Sequence, residues 1–303
     1  MHKIEIPDKK IIIDLPSEID EMTNKQFVRY LFHVLQYISG KINEDQFKII
    51  LVNILLDIRG TGFRYHFKSQ EKKAACETNL ARISELMECF IEEHHNEGRP
   101  VREFMLKSVR NFVPRILNYY GPESCFENLT YCEYRTARGF FKAFAQENKE
   151  DDLNHLVAVL YRPTKILWCI RKYFGSSDGE KRIPFKAKSN PIYLLRRVIR
   201  ISRFPYHLRY AVFIYFSACE DYLKTGKPKV DGNELDFSKL YMKEEDGSTK
   251  ADVGLVGLLY SLTETGVFGN IEQTDNTNLW DIMIRLYQVV MQMQEMEEKS
   301  KKT

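Results

Sequence analysis

Residues Asn118–Pro163, NYYGPESCFENLTYCEYRTARGFFKAFAQENKEDDLNHLVAVLYRP, decide the fold that the sequence predicts. Thr130 and Glu133 have the spacing of a capping box, in which a hydroxyl and a carboxylate satisfy the free amide groups of a helix start. Apolar residues then recur at helical spacing, and a shorter apolar helix follows a polar bend. Pro163 ends the second helix because proline biases the preceding residue, Arg162, away from helical geometry. The stretch therefore predicts a helical hairpin with a defined start, bend and end. The apolar positions are Tyr134, Ala137, Phe140, Phe141 and Phe144, then Leu153, Leu156, Val157 and Leu160.

A similar pattern occurs near the start of the chain. Residues 22–27 (MTNKQF) align with residues 129–134 (LTYCEY), capping box over capping box, and apolar residues follow at matching positions. Two interpretations stay open. The chain contains a pseudo-repeat of one hairpin, or it contains two capped amphipathic hairpins that share only a general pattern.

Four segments carry a resemblance to a known family: LPSEIDEMTNKQF, GPESCFENLTYCEYRTARGFFKAF, LNHLVAVLYRP and RFPYHLRYAVFIYFSACEDYL, in that order. They resemble structural proteins of the tail and head–tail junction of crAss-like bacteriophages of Bacteroidetes, over most of residues 15–225. The resemblance rests on helix-packing residues and turns. It implies a virion protein that forms a symmetric homo-oligomeric ring, located in the tail and assembled in the host cytoplasm. The implied partners are further copies of the chain and other tail or portal-proximal proteins.

The composition predicts a globular chain able to bury a sizeable core. Of 303 residues, 44% are hydrophobic and 29% charged, and the net charge of +3 does not by itself indicate a nucleic-acid partner. The six cysteines form no CxxC pair, which favours reduced thiols in a cytosol. The polar opening MHKIEIPDKK does not resemble a signal peptide, and Tyr210–Cys219 is too short to span a membrane. No membrane association is expected.

The remaining elements predict a mainly α-helical fold with one short β-hairpin. Residues 2–6 and 11–15 flank a Pro-Asp turn and predict this hairpin. Helices are expected over 24–39, 44–58, 71–95 and 253–262, from Pro205 to Leu223, and from Thr277 or Asn278 to about Glu298. The segment 226–250 is expected to be an exposed polar loop that contains a short segment over 235–241. Gly175–Gly179 is the best domain boundary, which divides the chain into 1–175 and 176–303; one continuous domain over 1–303 is the alternative.

A basic stretch follows this predicted boundary. Residues 181–219 contain nine Lys or Arg and no Asp or Glu. Arg196, Arg200 and Arg203 are expected to share one helical face, and with Arg197 they are candidate interface residues. They would contact acidic residues of a neighbouring protein or line a lumen through which DNA passes without sequence recognition. A nucleic-acid-binding or regulatory adaptor is the alternative function, and a solvated face paired with acids of the same chain is the structural alternative. Met293 and Met296, on the last helix, are further candidate interface residues.

The sequence contains no motif of a catalytic, cofactor or metal site. A GxSxG, HExxH, Walker-type or dinucleotide-binding pattern is absent. The glycine-containing segment 59–69 lacks the glycine pattern and helix-opening lysine of a phosphate-binding loop. The sequence therefore predicts that the protein is not an enzyme and needs no cofactor or metal.

Overall fold

The computed structural model describes residues 2–6, 11–57, 70–90, 93–96, 99–102, 108–165, 173, 181–185, 191–230, 232–241, 262–264 and 266–301. The protein is mainly α-helical, as predicted. It divides into two compact units, residues 1–108 and 109–303. The predicted boundary at Gly175–Gly179, the segment 59–69 and most of the helix expected over 253–262 lie outside the described residues.

The first unit is built on two capped helices. Strands β1 (His2–Ile6) and β2 (Ile11–Leu15) pair antiparallel, with His2 opposite Leu15. Helices α1 (Asn24–Ile38) and α2 (Glu44–Leu55) follow, and both begin with a complete capping box. Their buried faces meet through aromatic rings, because the Tyr37 ring stacks on Phe47 with centroids 5.0 Å apart. These two helices confirm the elements predicted over 24–39 and 44–58.

The helix predicted over 71–95 is shorter than expected. Helix α3 (Gln70–Glu85) is followed by a 3-10 turn over Leu86–Phe90. Strands β3 (Glu93–Asn96) and β4 (Arg99–Arg102) then form an antiparallel hairpin where a helix terminus was expected. Pro100 gives the physical reason, since proline favours extended geometry in the residue before it and lacks the amide hydrogen that a helix needs.

The second unit is organised around the predicted central hairpin. Short strands β5 (Arg115–Ile116) and β6 (Tyr119–Tyr120) precede α4 (Tyr131–Glu147) and α5 (Glu150–Leu160), and β7 (Arg162–Pro163) completes a three-stranded antiparallel sheet. The remaining elements of the described part are α6 (Pro191–Ile201), α7 (Tyr206–Thr225), β8 (Lys229–Val230), β9 (Asn233–Glu234), α8 (Ser238–Tyr241), α9 (Ile271–Asn276) and α10 (Leu279–Lys301).

Helix α5 lies at the centre of this unit. It contacts α4, α6 and α7, and every side chain from Leu156 to Leu160 is fully buried. Helix α7 adds a layer of aromatic rings, with Phe213 and Phe216 against Phe141 of α4 at centroid distances of 5.0 and 5.1 Å. Helix α7 is therefore part of the core of this unit.

The segment expected to be an exposed loop after Leu223 contributes to the core. Strands β8 and β9 turn through Gly232, whose φ of +83° suits a residue without a side chain. The chain then places Phe237, which is fully buried, against Trp280 and Tyr287 of α10. The prediction was wrong here because one large aromatic side chain outweighs the polar residues around it.

The capping box of α4 is also the centre of a buried ion-pair cluster. Glu133 accepts the Thr130 amide at 3.3 Å, pairs with Arg162 of β7, and lies 3.6 Å from Arg182. All three charged side chains are at least 98% buried. Burial of a charge is tolerated only where it is paired, so the start of α4 and the strand after α5 depend on one carboxylate.

We expect Glu133→Gln to lower the free energy of unfolding by about 3–5 kcal/mol, because two buried guanidinium groups lose their carboxylate. Thr130→Ala removes only the cap and is expected to cost about 1 kcal/mol. The measurement is urea unfolding followed by circular dichroism. Glu147→Gln, at an exposed position of α4, is the matched control, and an equal effect of the two glutamine variants contradicts this account.

A second constraint fixes the turn before α4. The Tyr161 hydroxyl donates to the Val113 carbonyl at 2.5 Å, which holds the fully buried ring in place. Gly121 packs against that ring so closely that a Cβ would lie 2.5 Å from its Cζ. Only glycine fits there without moving the ring.

We expect Gly121→Ala to destabilise the protein by about 1–3 kcal/mol through overpacking. Gly139→Ala is the control on the exposed face of α4, where a Cβ meets nothing within 4 Å. That change is expected to stabilise by about 0.5–1 kcal/mol, since alanine favours helix over glycine. Thermal unfolding measures the change in stability of both variants. Changes of the same sign would show that the Tyr161 ring moves to accommodate the added methyl group.

Candidate interaction surface

Helix α6 presents the most distinctive surface of the second unit. Val198 and Ile201 are buried on its inner side, where the helix contacts α5. The chain then turns at Ser202–Phe204, and Pro205 precedes α7. The residue before a proline is disfavoured in helical geometry, which explains why α6 does not run on into α7.

The outer side of α6 carries exposed apolar residues. Tyr193 is 65% exposed, Leu195 52% and Ile199 58%. Leu195 and Ile199 are four residues apart, so their side chains lie one above the other on the helix. Apolar side chains grouped in this way mark interaction sites more often than isolated ones do.

A basic line runs beside this apolar line. Arg196 and Arg200 are exposed and are again four residues apart. Arg203 is exposed but lies in the turn after Ile201, so it is not on the predicted helical face. We refer to Tyr193, Leu195, Arg196, Ile199, Arg200 and Arg203 together as the α6 surface.

Arg197 has a different role from the other three arginines. It is half-buried, and its Nη1 donates to the Ala158 carbonyl at 2.8 Å. Burial lowers the pKa of its guanidinium, and nearby Glu133 opposes that shift. Arg197 therefore stabilises the interior of the unit rather than presenting charge at the surface.

Two more arginines of the basic stretch are buried. Arg182 donates to the carbonyls of Leu160 at 3.2 Å and Asn128 at 2.7 Å. Arg209 donates to Asn154 Oδ1 at 2.6 Å, and it pairs with Glu150 in the first turn of α5 at 2.6 Å. Because their side chains bind groups of the same chain, Arg182 and Arg209 are not part of a surface that would bind DNA phosphates.

The buried arginines act on one helix. The last four carbonyls of a helix lack partners within it. Arg197 and Arg182 satisfy two of them at the carboxyl end of α5, and a cation there also complements the helix dipole. Arg209 holds the other end of the same helix through Glu150. Part of the basic stretch therefore stabilises the two ends of α5.

The last helix carries the other predicted interface residues. Met296 of α10 is 69% exposed, and Glu295 beside it is also exposed. The side chain of Met293 lies outside the described part of the chain. Both positions stay predictions as interface residues.

A cleft of about 380 Å³ lies beside residues 120–122, but it does not define a ligand class. Tyr120, Glu127 and Lys181 are among the residues that line it, so its charges are mixed. Arg182 also lines it, and two of its donors are already used by backbone carbonyls. Cys125 is next to the cleft, and burial raises the pKa of its thiol to about 11, which disfavours a reactive thiolate.

Within the described residues, no group of three or more His, Cys, Asp or Glu side chains could hold a metal ion. No helix in that same part of the chain is long and apolar enough to cross a membrane. Comparison of the chain with protein-family models, curated proteins and solved structures finds no match.

We expect Arg197→Ala to lower the free energy of unfolding by about 1–3 kcal/mol, because it leaves a helix-end carbonyl without its charged donor. Arg196→Ala, one residue away on the exposed side, is expected to change it by less than about 0.5 kcal/mol. Urea unfolding of the two variants measures the difference. Equal effects would show that both arginines face solvent.

Proposed function

We propose that this chain is a structural protein of a tailed-bacteriophage virion, a ring-forming component of the tail or head–tail junction that assembles through protein–protein contacts. The observation that carries the proposal is the α6 surface, where exposed Leu195 and Ile199 run beside exposed Arg196 and Arg200. The resemblance of residues 15–225 to crAss-like phage tail and head–tail junction proteins supplies the biological setting.

The α6 surface fits a protein partner better than it fits DNA. A phosphate backbone satisfies arginines but offers little to bind an exposed leucine and isoleucine. A protein interface uses both, with apolar residues at its centre and charged residues that fix orientation. Arginine suits this role because its planar group pairs with carboxylates in a defined geometry.

A nucleic-acid-binding adaptor is the second candidate function, and the exposed Arg196, Arg200 and Arg203 favour it. Three other arginines of the basic stretch make hydrogen bonds within the fold, which argues against this second candidate function. A weak attraction between these exposed arginines and DNA in a ring lumen is compatible with the proposal, since a lumen must not hold the genome tightly.

We expect the purified chain to assemble into particles whose mass is a whole multiple of the chain mass, with closed rings visible by electron microscopy. Light scattering after size-exclusion chromatography gives the mass, and DNA retention is measured from low to high salt. DNA binding should be weak and independent of sequence. A monomer at all concentrations, with tight DNA binding that falls steeply with salt, would favour the adaptor instead.

A further inference from the structure

The chain carries a second surface whose charge is opposite to that of the α6 surface. Residues 251–284 contain five Asp or Glu and no Lys or Arg, whereas residues 181–219 contain nine Lys or Arg and no Asp or Glu. Within the acidic segment a tight turn passes through Gly266 and Gly269, which have φ values of +70° and +80°. The exposed charges of the two segments, Arg196, Arg200 and Arg203 in one and Glu264 and Glu272 in the other, are a basis for contact between copies.

The acidic turn also presents an apolar side chain. Val267, at its tip, is 51% exposed. Glu264 and Glu272, on either side of the turn, are exposed as well. We refer to Glu264, Val267 and Glu272 as the acidic turn. It has the same combination as the α6 surface, an apolar centre with flanking charge, but with the sign reversed.

We propose that the α6 surface of one copy binds the acidic turn of a neighbouring copy. Val267 would lie against Leu195 and Ile199, and Glu264 and Glu272 would pair with Arg196, Arg200 or Arg203. This inference rests on the proposed function and specifies the contact through which copies assemble. Both surfaces are exposed within a single copy, so their contact must come from another copy.

The contact joins two different surfaces, and this has a geometric consequence. Such a heterologous interface leaves one free surface of each kind at the ends of any short chain of copies. Further copies then add at these free surfaces. A ring forms if the rotation between neighbouring copies closes, and a filament forms if it does not. A contact that paired a surface with itself would instead stop at a dimer.

The end of α10 is a poorer match for the α6 surface, although Met296 is exposed there. Glu295 is followed by Lys299 and Lys301 within the same helix, so its charge is mixed. The acidic segment around Val267 contains no Lys or Arg of its own, and although its Asp275 is paired with Arg135 of α4, Glu264 and Glu272 are exposed.

The size of the contact predicts how assembly depends on concentration. Helix α6 has 11 residues and is therefore about 16 Å long. A face of that length buries less than the roughly 800 Å² per partner typical of a stable pair. Each contact alone should be weak, and closure, in which every copy makes two contacts, should make assembly strongly concentration-dependent.

The test uses two charge-reversed forms of the full chain. The first is Arg196→Glu with Arg200→Glu, and the second is Glu264→Arg with Glu272→Arg. Each form alone would face like charge across the contact, so we expect the concentration for half assembly to rise at least about tenfold. Lys142→Glu with Lys227→Glu is the matched control for the first form, because it makes the same change in net charge at exposed lysines elsewhere and should assemble like the wild type.

Two recombinations make the result specific. A one-to-one mixture of the reversed forms should assemble, because copies can alternate so that each contact again joins opposite charges. The chain that carries all four substitutions should assemble alone for the same reason. Light scattering gives the mass, and circular dichroism and unfolding midpoints establish that each form is folded.

The outcomes separate the contact from the proposed function. A wild-type chain that stays monomeric at every concentration overturns the ring proposal and the contact together. Wild-type assembly with unaffected reversed forms overturns the contact alone. Loss of assembly in the first form that neither recombination rescues shows that the α6 surface binds another acidic partner, and it overturns the pairing with the acidic turn.

Discussion

The unpaired carbonyls at the carboxyl end of α5 are the constraint on which the second unit depends. This helix is fully buried over its last turn, so water does not satisfy those groups and protein donors must do so. Arg182 and Arg197 supply the donors, and Glu133 offsets part of the charge that Arg182 and Arg162 bring into the interior. The start of α4, the sheet strand β7 and helix α6 are thereby tied to one end of a single helix.

This arrangement explains how one basic stretch has two roles. Successive residues of a helix are about 100° apart, so Arg196 and Arg200 share the outward face of α6 while Arg197 reaches α5. Arg197 fixes the orientation of α6 against the core. The positions of Arg196 and Arg200 on the outer side are fixed by the same contact. A surface that is positioned by a partly buried hydrogen bond loses little conformational freedom on binding, which favours its use as an interface.

The sequence predicted the elements whose signals are local. Thr130 with Glu133 and Thr23 with Gln26 defined helix starts, and both helices begin there. The sequence did not predict the roles of Arg182, Arg197 and Arg209, whose acceptors lie 22, 39 and 55 residues away along the chain. The sequence also did not predict which apolar residues of α6 are exposed, because the exposed Leu195 and Ile199 are chemically similar to the buried Val198 and Ile201. Whether the two hairpins form a repeat stays a prediction.

The starts of α4 and α10 are far apart in the chain but are joined by backbone hydrogen bonds. The Tyr131 amide donates to the Thr277 carbonyl at 3.0 Å, and the Leu279 amide donates to the Leu129 carbonyl at 2.8 Å, so α4 and α10 begin side by side. Trp280 reaches the Cys125 carbonyl at 2.9 Å. During synthesis the central hairpin therefore emerges from the ribosome long before the residues that complete its entrance. A chain interrupted before residue 277 lacks those bonds, which would make it an unstable and easily degraded product.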